Sequence, residues 1–355
     1  MNQLAVEDRY LNRMAVKSAK SIQSRVSKEP QFAATAVCGL LGPTGSVNFD
    51  QVTKTKTVEK IAVEANFDAL KEIVPLLEKL IIKPGTDDSK AAASSRQFLA
   101  NLLVSIVRSR VSASQDEDGA QAILEHIVMI FVRHAYFTSQ NTEKGPQPAM
   151  TPQTQELFRN RINSCLNSLI ASQKYAAVLP YSVVRQIRDA AKSEEYGKSI
   201  INIEGDLGDS VKAAFKSLKK MVSYTLQFTS NLLKANIIQE KKDGNAGIDA
   251  FKLLYSMTLL QVYNGDADAV SMLDELQFCY TKFLGDEKSK EETSDASDTL
   301  VEILLSFASK QSQLFRRMSE QVFSAFAEKV TATGLESLTS VCLLPFFLCG
   351  NLRMY

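Results

Sequence analysis

Residues 262–270 read VYNGDADAV, so Asp266 and Asp268 stand one residue apart behind a tyrosine, an asparagine and a glycine. Carboxylates paired this closely are what a nucleotidyl-transfer centre uses, where two Mg²⁺ ions clamp the attacking and leaving oxygens. The same residues also make a turn between helices. Asn264-Gly265 closes one helix, since glycine takes the left-handed conformation at C′ without steric cost. Asp266 then caps the next helix, and Asp268 sits in its first turn, where negative charge suits the helix dipole.

The flanks decide between these readings. LLYSMTLLQVY before the pair and AVSMLDELQFCY after it are both apolar at steps of three to four residues, which is helical spacing. No strand is available to build the β-hairpin on which B-type polymerases carry their Y-G-D-T-D turn, and YNGDAD departs from that turn by an inserted Asn and by Ala for Thr. RNRINSCLN at 159–167 echoes a second polymerase motif, K-x-x-x-N-S-x-Y-G. Arg159, Asn163 and Ser164 match it in type, but Leu166 and Asn167 stand where Tyr and Gly belong. The partner motif, an Asp leading into S-L-Y-P, is absent. An EF-hand loop counted from Asp266 fails too, because Val270, Ser271 and Gln277 occupy its fifth, sixth and twelfth positions. The pair reads as a helix turn, with no catalytic residue and no metal assigned.

Other chemistry is thin. His126 and His134 lie eight apart on one helical stretch, not the four of H-E-x-x-H, and are assigned structural roles. No Gly-rich phosphate loop and no G-x-S-x-G occurs, and no cofactor is implied. Cys38, Cys165, Cys279, Cys342 and Cys349 are odd in number and scattered, with no CxxC pair, which argues against a disulfide framework or zinc knuckle. The basic clusters are the stronger lead. TKTKTVEK presents Lys54, Lys56 and Lys60 beside threonine hydroxyls that can also reach phosphate; KSLKKM presents Lys216, Lys219 and Lys220; LFRRMSEQ presents Arg316 and Arg317. Gathered on one face they would track a nucleic-acid backbone; taken singly each is also what a solvated helix face looks like.

The elements that must position these residues are helices. In NFDALKEIVPLLEKLI, Phe67, Leu70, Ile73, Val74, Leu77, Leu80 and Ile81 form one stripe, interrupted by Pro75, where a kink or break is expected. Similar stripes recur to residue 330, and no segment alternates with period two. The chain of 355 residues, 45% hydrophobic with no Trp, carries more helices than a four-helix bundle needs. The expected fold is all-α, an irregular α-solenoid of HEAT/armadillo-like helix pairs, with a compact multi-helix domain as the alternative. Residues 1–284 form the helical-repeat region, 285–298 (GDEKSKEETSDASD) an acidic disordered linker, 299–340 a continuation of the repeats, and 341–355 an apolar tail too short and Pro-broken to span a membrane. Charge is uneven: residues 1–111 balance to +5, 152–242 to +6 and 243–306 to −9, inside a net charge of +1.

LLQVYNGDADAVSMLDELQFCYTKF, then LVEILLSFASKQSQLFRRMSEQVFSAFAEKVTATGLESL, resemble the DNA polymerase phi family, as do EDRYLNRMAVKSAKSI, TKTKTVEKI and VRHAYF. The resemblance covers about residues 1–340; the segment at 298–306 and RRMSEQVF are its most specific parts. It implies a helical-repeat protein of the nucleus and nucleolus that supports rRNA gene transcription and ribosome biogenesis. Its implied partners are rDNA or rRNA, transcription proteins and pre-ribosomal proteins, with no membrane. The family name implies a DNA-directed DNA polymerase, which the motifs above do not support. Family members are longer, so the chain reads as a fragment whose first residue falls inside the helical array and whose Lys-rich tail is missing; array ends of that kind expose apolar surface.

Overall fold

In a computed structural model of the chain, the residues described are 11–42, 45–112, 119–138, 145–194, 196–200, 206–235, 242–284, 290–337 and 339–340. The apolar stripes become helices: α1 (Leu11–Lys28), α2 (Ala33–Leu41), α3 (Phe49–Thr53), α4 (Thr57–Glu64), α5 (Phe67–Ile82), α6 (Ser89–Ser112), α7 (Ala120–Tyr136) and α8 (Pro152–Leu169). They continue as α9 (Gln173–Ala176), α10 (Leu179–Ser193), α11 (Asp206–Ala235), α12 (Lys242–Tyr263), α13 (Asp268–Leu284), α14 (Lys290–Ser309) and α15 (Gln313–Phe326). The extended structure among the described residues is one antiparallel pair, β1 (Phe137–Thr138) on β2 (Lys198–Ser199).

The chain divides into two compact units, a boundary that the single 1–284 region of the sequence reading did not draw. The first takes residues 1–172 and 185–200, the second 173–184 and 201–355, so α10 begins in one and ends in the other. In the first unit α1 packs on α4, α2 on α5, α4 on α6, α5 on α7, and α8 on both α6 and α7. In the second, α11, α12 and α13 pack on one another, α14 on α13, and α15 on α12 and α14. These main partners are never more than three helices apart in sequence, as serial stacking of helix pairs requires. Each unit has one helix that is apolar nearly all round. Ile127, Val128, Ile130, Phe131 and Val132 of α7 are buried, as are Phe251, Leu254, Tyr255, Met257 and Leu259 of α12. A helix covered on every side is the core of its stack.

Local signals set the helix ends. Asn66 accepts the Ala69 N–H at 2.9 Å and Asp88 the Ala91 N–H at 3.0 Å, and Thr151 caps α8 ahead of Pro152. Two expectations are corrected. Of the kink or break expected at Pro75, the break does not occur: helix α5 runs through it, and the proline ring lies on the exposed side, where water can take the carbonyl bond that proline forfeits. Residues 290–298 of the expected disordered linker form the start of α14. Ala296 and Ser297 are buried there, the Cys279 thiol meets the Ala296 carbonyl at 3.4 Å, and the Ser297 hydroxyl donates to the Lys329 carbonyl at 2.9 Å. Residues 285–289 and the expected tail at 341–355 lie outside the described residues. No helix among the described residues is long and apolar enough to cross a membrane.

Candidate functional site

The turn around the aspartate pair is a Schellman motif. Gly265 sits at φ +85°, its N–H donates to the Val262 carbonyl at 3.0 Å, and the Asp266 N–H donates to the Gln261 carbonyl at 3.0 Å. This is the expected end of α12. The expected cap is corrected: α13 starts at Asp268, Ala267 holds the capping position, and Asp266 instead pairs with Lys310, both half-buried. The Schellman geometry places Asp266 at C″ and its carboxylate against an ammonium that also lies 5.7 Å from the Phe307 and Phe315 rings. Asp268 is exposed in the first turn of its helix. Both flanks are helical, and among the described residues no three His, Cys, Asp or Glu side chains gather where a metal could be held. In the second polymerase echo, Arg159 pairs with Glu156 at 3.1 Å, and the Ser164 hydroxyl donates to the Asn160 carbonyl at 2.9 Å, an ordinary helix-surface pattern.

Both histidines are engaged in contacts within the fold. His126 lies 3.2 Å from Glu78, which also pairs with Arg133, and the His126 bond leads in holding the Glu78 carboxyl below its usual range. His134 is buried against Phe158, ring centroids 5.7 Å apart, and burial pushes its pKa down to about 4, so it stays neutral. The Cys165 and Cys279 thiols are pushed up to about 12 by burial and are unreactive at neutral pH.

The basic clusters sit as follows. Asp50, 7% exposed, accepts the N–H groups of Val58 and Glu59 at 3.1 and 2.9 Å and so caps α4 from the preceding helix. Lys54, at φ +53°, turns the chain between α3 and α4. Lys54, Lys56 and Lys60 all point to solvent, and Lys56 is 3.5 Å from Glu59. The threonine hydroxyls, expected to be open to phosphate, are engaged internally: Thr53 donates to Phe49, Thr55 to Asp50 and Thr57 to Thr55. On α11, Lys216, Lys219 and Lys220 are exposed opposite the buried Ala214, Phe215 and Leu218. Lys212 falls on the same stripe; the sequence reading missed it, although the steps from 212 to 216, 219 and 220 give it away. Lys212 pairs with Asp209 at 2.8 Å. Arg316 is exposed and Arg317 half-buried on α15.

Sequence reasoning also missed two guanidiniums. Arg108 of α6 lies close enough to Arg161 of α8 that, after burial, its charge is the next cause lowering the Arg161 pKa, and neither pairs with a carboxylate among the described residues. The first unit thus holds Lys54, Lys56, Lys60, Arg108 and Arg161, and the second holds the α11 row and the α15 arginines.

Serial helix pairs with cations on their outer faces make this an all-α helical-repeat protein. The chain belongs to the DNA polymerase phi family, whose sequence model matches residues 1–343. It is similar to the rDNA transcriptional regulator pol5 of Schizosaccharomyces pombe, 29% identical over 96% of the chain and 35% of that protein. It is also similar to the rDNA transcriptional regulator POL5 of Saccharomyces cerevisiae, 27% identical over 95% of the chain and 30% of that protein. A Myb-binding protein 1A-like protein of Danio rerio is 22% identical over 61% of the chain and 19% of its own length. The chain thus spans about a third of the yeast relatives it matches. No solved structure matches it.

Proposed function

We propose that this chain is the helical-repeat part of a nuclear regulator of ribosomal RNA gene transcription, acting in the nucleolus as a scaffold rather than an enzyme. The observation that carries this is similarity over nearly the whole chain to two yeast proteins named as rDNA transcriptional regulators. The turn geometry supports the non-enzymatic part, because Asp266 is held by Lys310 while Asp268 is exposed in the first turn of the next helix. Contact with rDNA or rRNA is assigned to Lys54, Lys56 and Lys60, to Lys216, Lys219 and Lys220, and to Arg316 and Arg317, of which all but the half-buried Arg317 are exposed.

The test is binding of the full chain to rDNA duplex and to rRNA, alongside a Mg²⁺-dependent nucleotide-incorporation assay. Charge reversal of the lysine clusters is expected to abolish binding, with no incorporation by the parent or by Asp266→Ala. Incorporation that disappears in Asp266→Ala overturns the scaffold reading. The Myb-binding name of the Danio rerio relative favours a second reading, a protein-only adaptor for transcription factors. Partners retained in pull-downs after nuclease treatment select it.

A further inference from the structure

Helices α1 and α2 flank an open groove of about 540 Å³ that no described residue fills. Ile22, Val26, Phe32, Ala36, Gly39 and Leu40 give it its apolar lining, and the rest of the lining is polar, with the Arg25 guanidinium 5.0 Å from the centre of the Phe32 ring. The apolar surface continues beyond it. Leu11 and Met14, 50% and 62% exposed, lie on the same helical stripe as Ile22 and Arg25, at steps of three to four residues. The stripe from residue 11 to 25 is about 21 Å long, the length of four turns of a docked helix.

Two observations say what fits. The first is Gly39: a Cβ there would meet nothing within 4 Å, so the described residues give no packing reason for a glycine inside α2. An unneeded helical glycine weakens the helix, and its use is close backbone approach by something else. The second is charge. Helix α1 carries Arg13, Lys17, Lys20, Arg25 and Lys28 and no acid, and α2 carries no charge at all. Lys17 and Lys28 fall along one rim of the stripe. The nearby acids are spent: Glu29 pairs with Arg25 at 2.9 Å, and Glu64 takes the Ser27 hydroxyl on the face of α1 turned away from the groove.

We propose that the groove between α1 and α2 docks an amphipathic helix of a partner protein, with small apolar residues facing Gly39 and Asp or Glu facing Lys17 and Lys28. Its apolar face covers Leu11, Met14, Ile22 and Phe32, while its acidic flank selects it over other amphipathic helices. The site is independent of the nucleic-acid contacts assigned above and stands if those fail.

The probe is a fluorescein-labelled designed helix of about 18 residues with Leu and Ala on one face and Glu on its flanks, titrated with the full chain. A control peptide keeps the apolar face and carries Lys on the flanks. The Glu peptide is expected to bind at least about tenfold more tightly than the Lys peptide. Gly39→Leu projects a side chain into the groove without internal clash. It is expected to weaken the Glu peptide by at least about tenfold while melting no lower than the parent, which separates docking from folding. Lys17→Glu with Lys28→Glu is expected to exchange the preference between peptides. Equal affinity for both peptides, or Gly39→Leu binding like the parent, overturns the proposal. Binding that emerges only after residues 1–10 are removed assigns the groove to the chain's own start. A dimer that Gly39→Leu dissolves assigns it to a second copy. Either result overturns a partner helix.

Discussion

Gly265 shows how a single position fixes the connection between two helices. It sits at φ +85°, and a Cβ there would meet no atom within 4 Å, so substitution is penalised through the backbone alone. Gly265→Ala is expected to cost about 1 kcal/mol, read as a lower urea midpoint at unchanged m-value, and Gly265→Asn less, since Asn tolerates the left-handed region. An alanine variant as stable as the parent contradicts the Schellman assignment. That turn was legible in the sequence because Asn-Gly follows an apolar helix. The role of Asp266 was not, because its partner, Lys310, lies 44 residues away and only tertiary packing joins them. His134 carries a second residue-scale prediction. Burial lowers its pKa from 6.5 to about 4, so the unfolded chain binds the proton more readily. Its contribution to stability is complete above pH 6.5 and is lost as pH falls toward 4, by about 2 kcal/mol between pH 7.5 and pH 5. The lowered Glu78 carboxyl loses its share as pH falls below its ordinary value of 4.5, and the raised Glu275 carboxyl acts in the opposite sense above it, so the histidine's share is read as the difference between the parent and a variant lacking it. His134→Phe, which keeps an aromatic against Phe158, is expected to flatten that slope in denaturant titrations; an unchanged slope refutes it.

Among the elements, α6 is tied down by a residue the sequence did not advertise. Arg96 is 1% exposed and donates to the Ile81 carbonyl at the end of α5, and to Pro148 and Ala149 in the segment ahead of α8. One guanidinium therefore satisfies helix-end and loop acceptors that would otherwise be buried without partners. Arg96→Leu is expected to cost about 3 kcal/mol and to raise amide exchange across 145–151; Arg96→Lys keeps the charge, loses the fork, and falls between. A leucine variant of parental stability means that water satisfies those carbonyls. From the sequence, Arg96 is one cation in SSRQFLANLL, with no periodicity to mark it as buried. Helix α14 shows the opposite failure. Its first residues are too polar to read as helix in isolation, but they fold because Ala296 and Ser297 meet α13 and the chain after α15. The stripes that are apolar throughout, α5, α7 and α12, were legible because burial and periodicity coincide there.

At the scale of the molecule, the charge blocks of the sequence do not coincide with its bodies. The basic stretch before residue 242 and the acidic one after it fall largely within the same second unit. Its α11 lysine row lies on a helix that packs on α13, where the Ser210 hydroxyl meets Asp274 at 3.0 Å. Burial, and then the charges of Glu302 and Asp274, push the Glu275 carboxyl up. A polyanion meeting the second unit is drawn to α11 and repelled from α13, so the unit has a preferred side. Contact with phosphates then has a countable signature, because each neutralised phosphate of a duplex contributes about 0.9 to the slope of log affinity against log salt. Changing Lys216, Lys219 and Lys220 to Glu is expected to lower that slope by up to about 3 on rDNA duplex. Changing Lys54, Lys56 and Lys60 is expected to lower it by about 2, because Lys56 is already shared with Glu59 at 3.5 Å. If both units touch the duplex, the two losses add in the sixfold variant; if one cluster leaves the slope unmoved, its lysines are a solvated face and the contact belongs to the other unit.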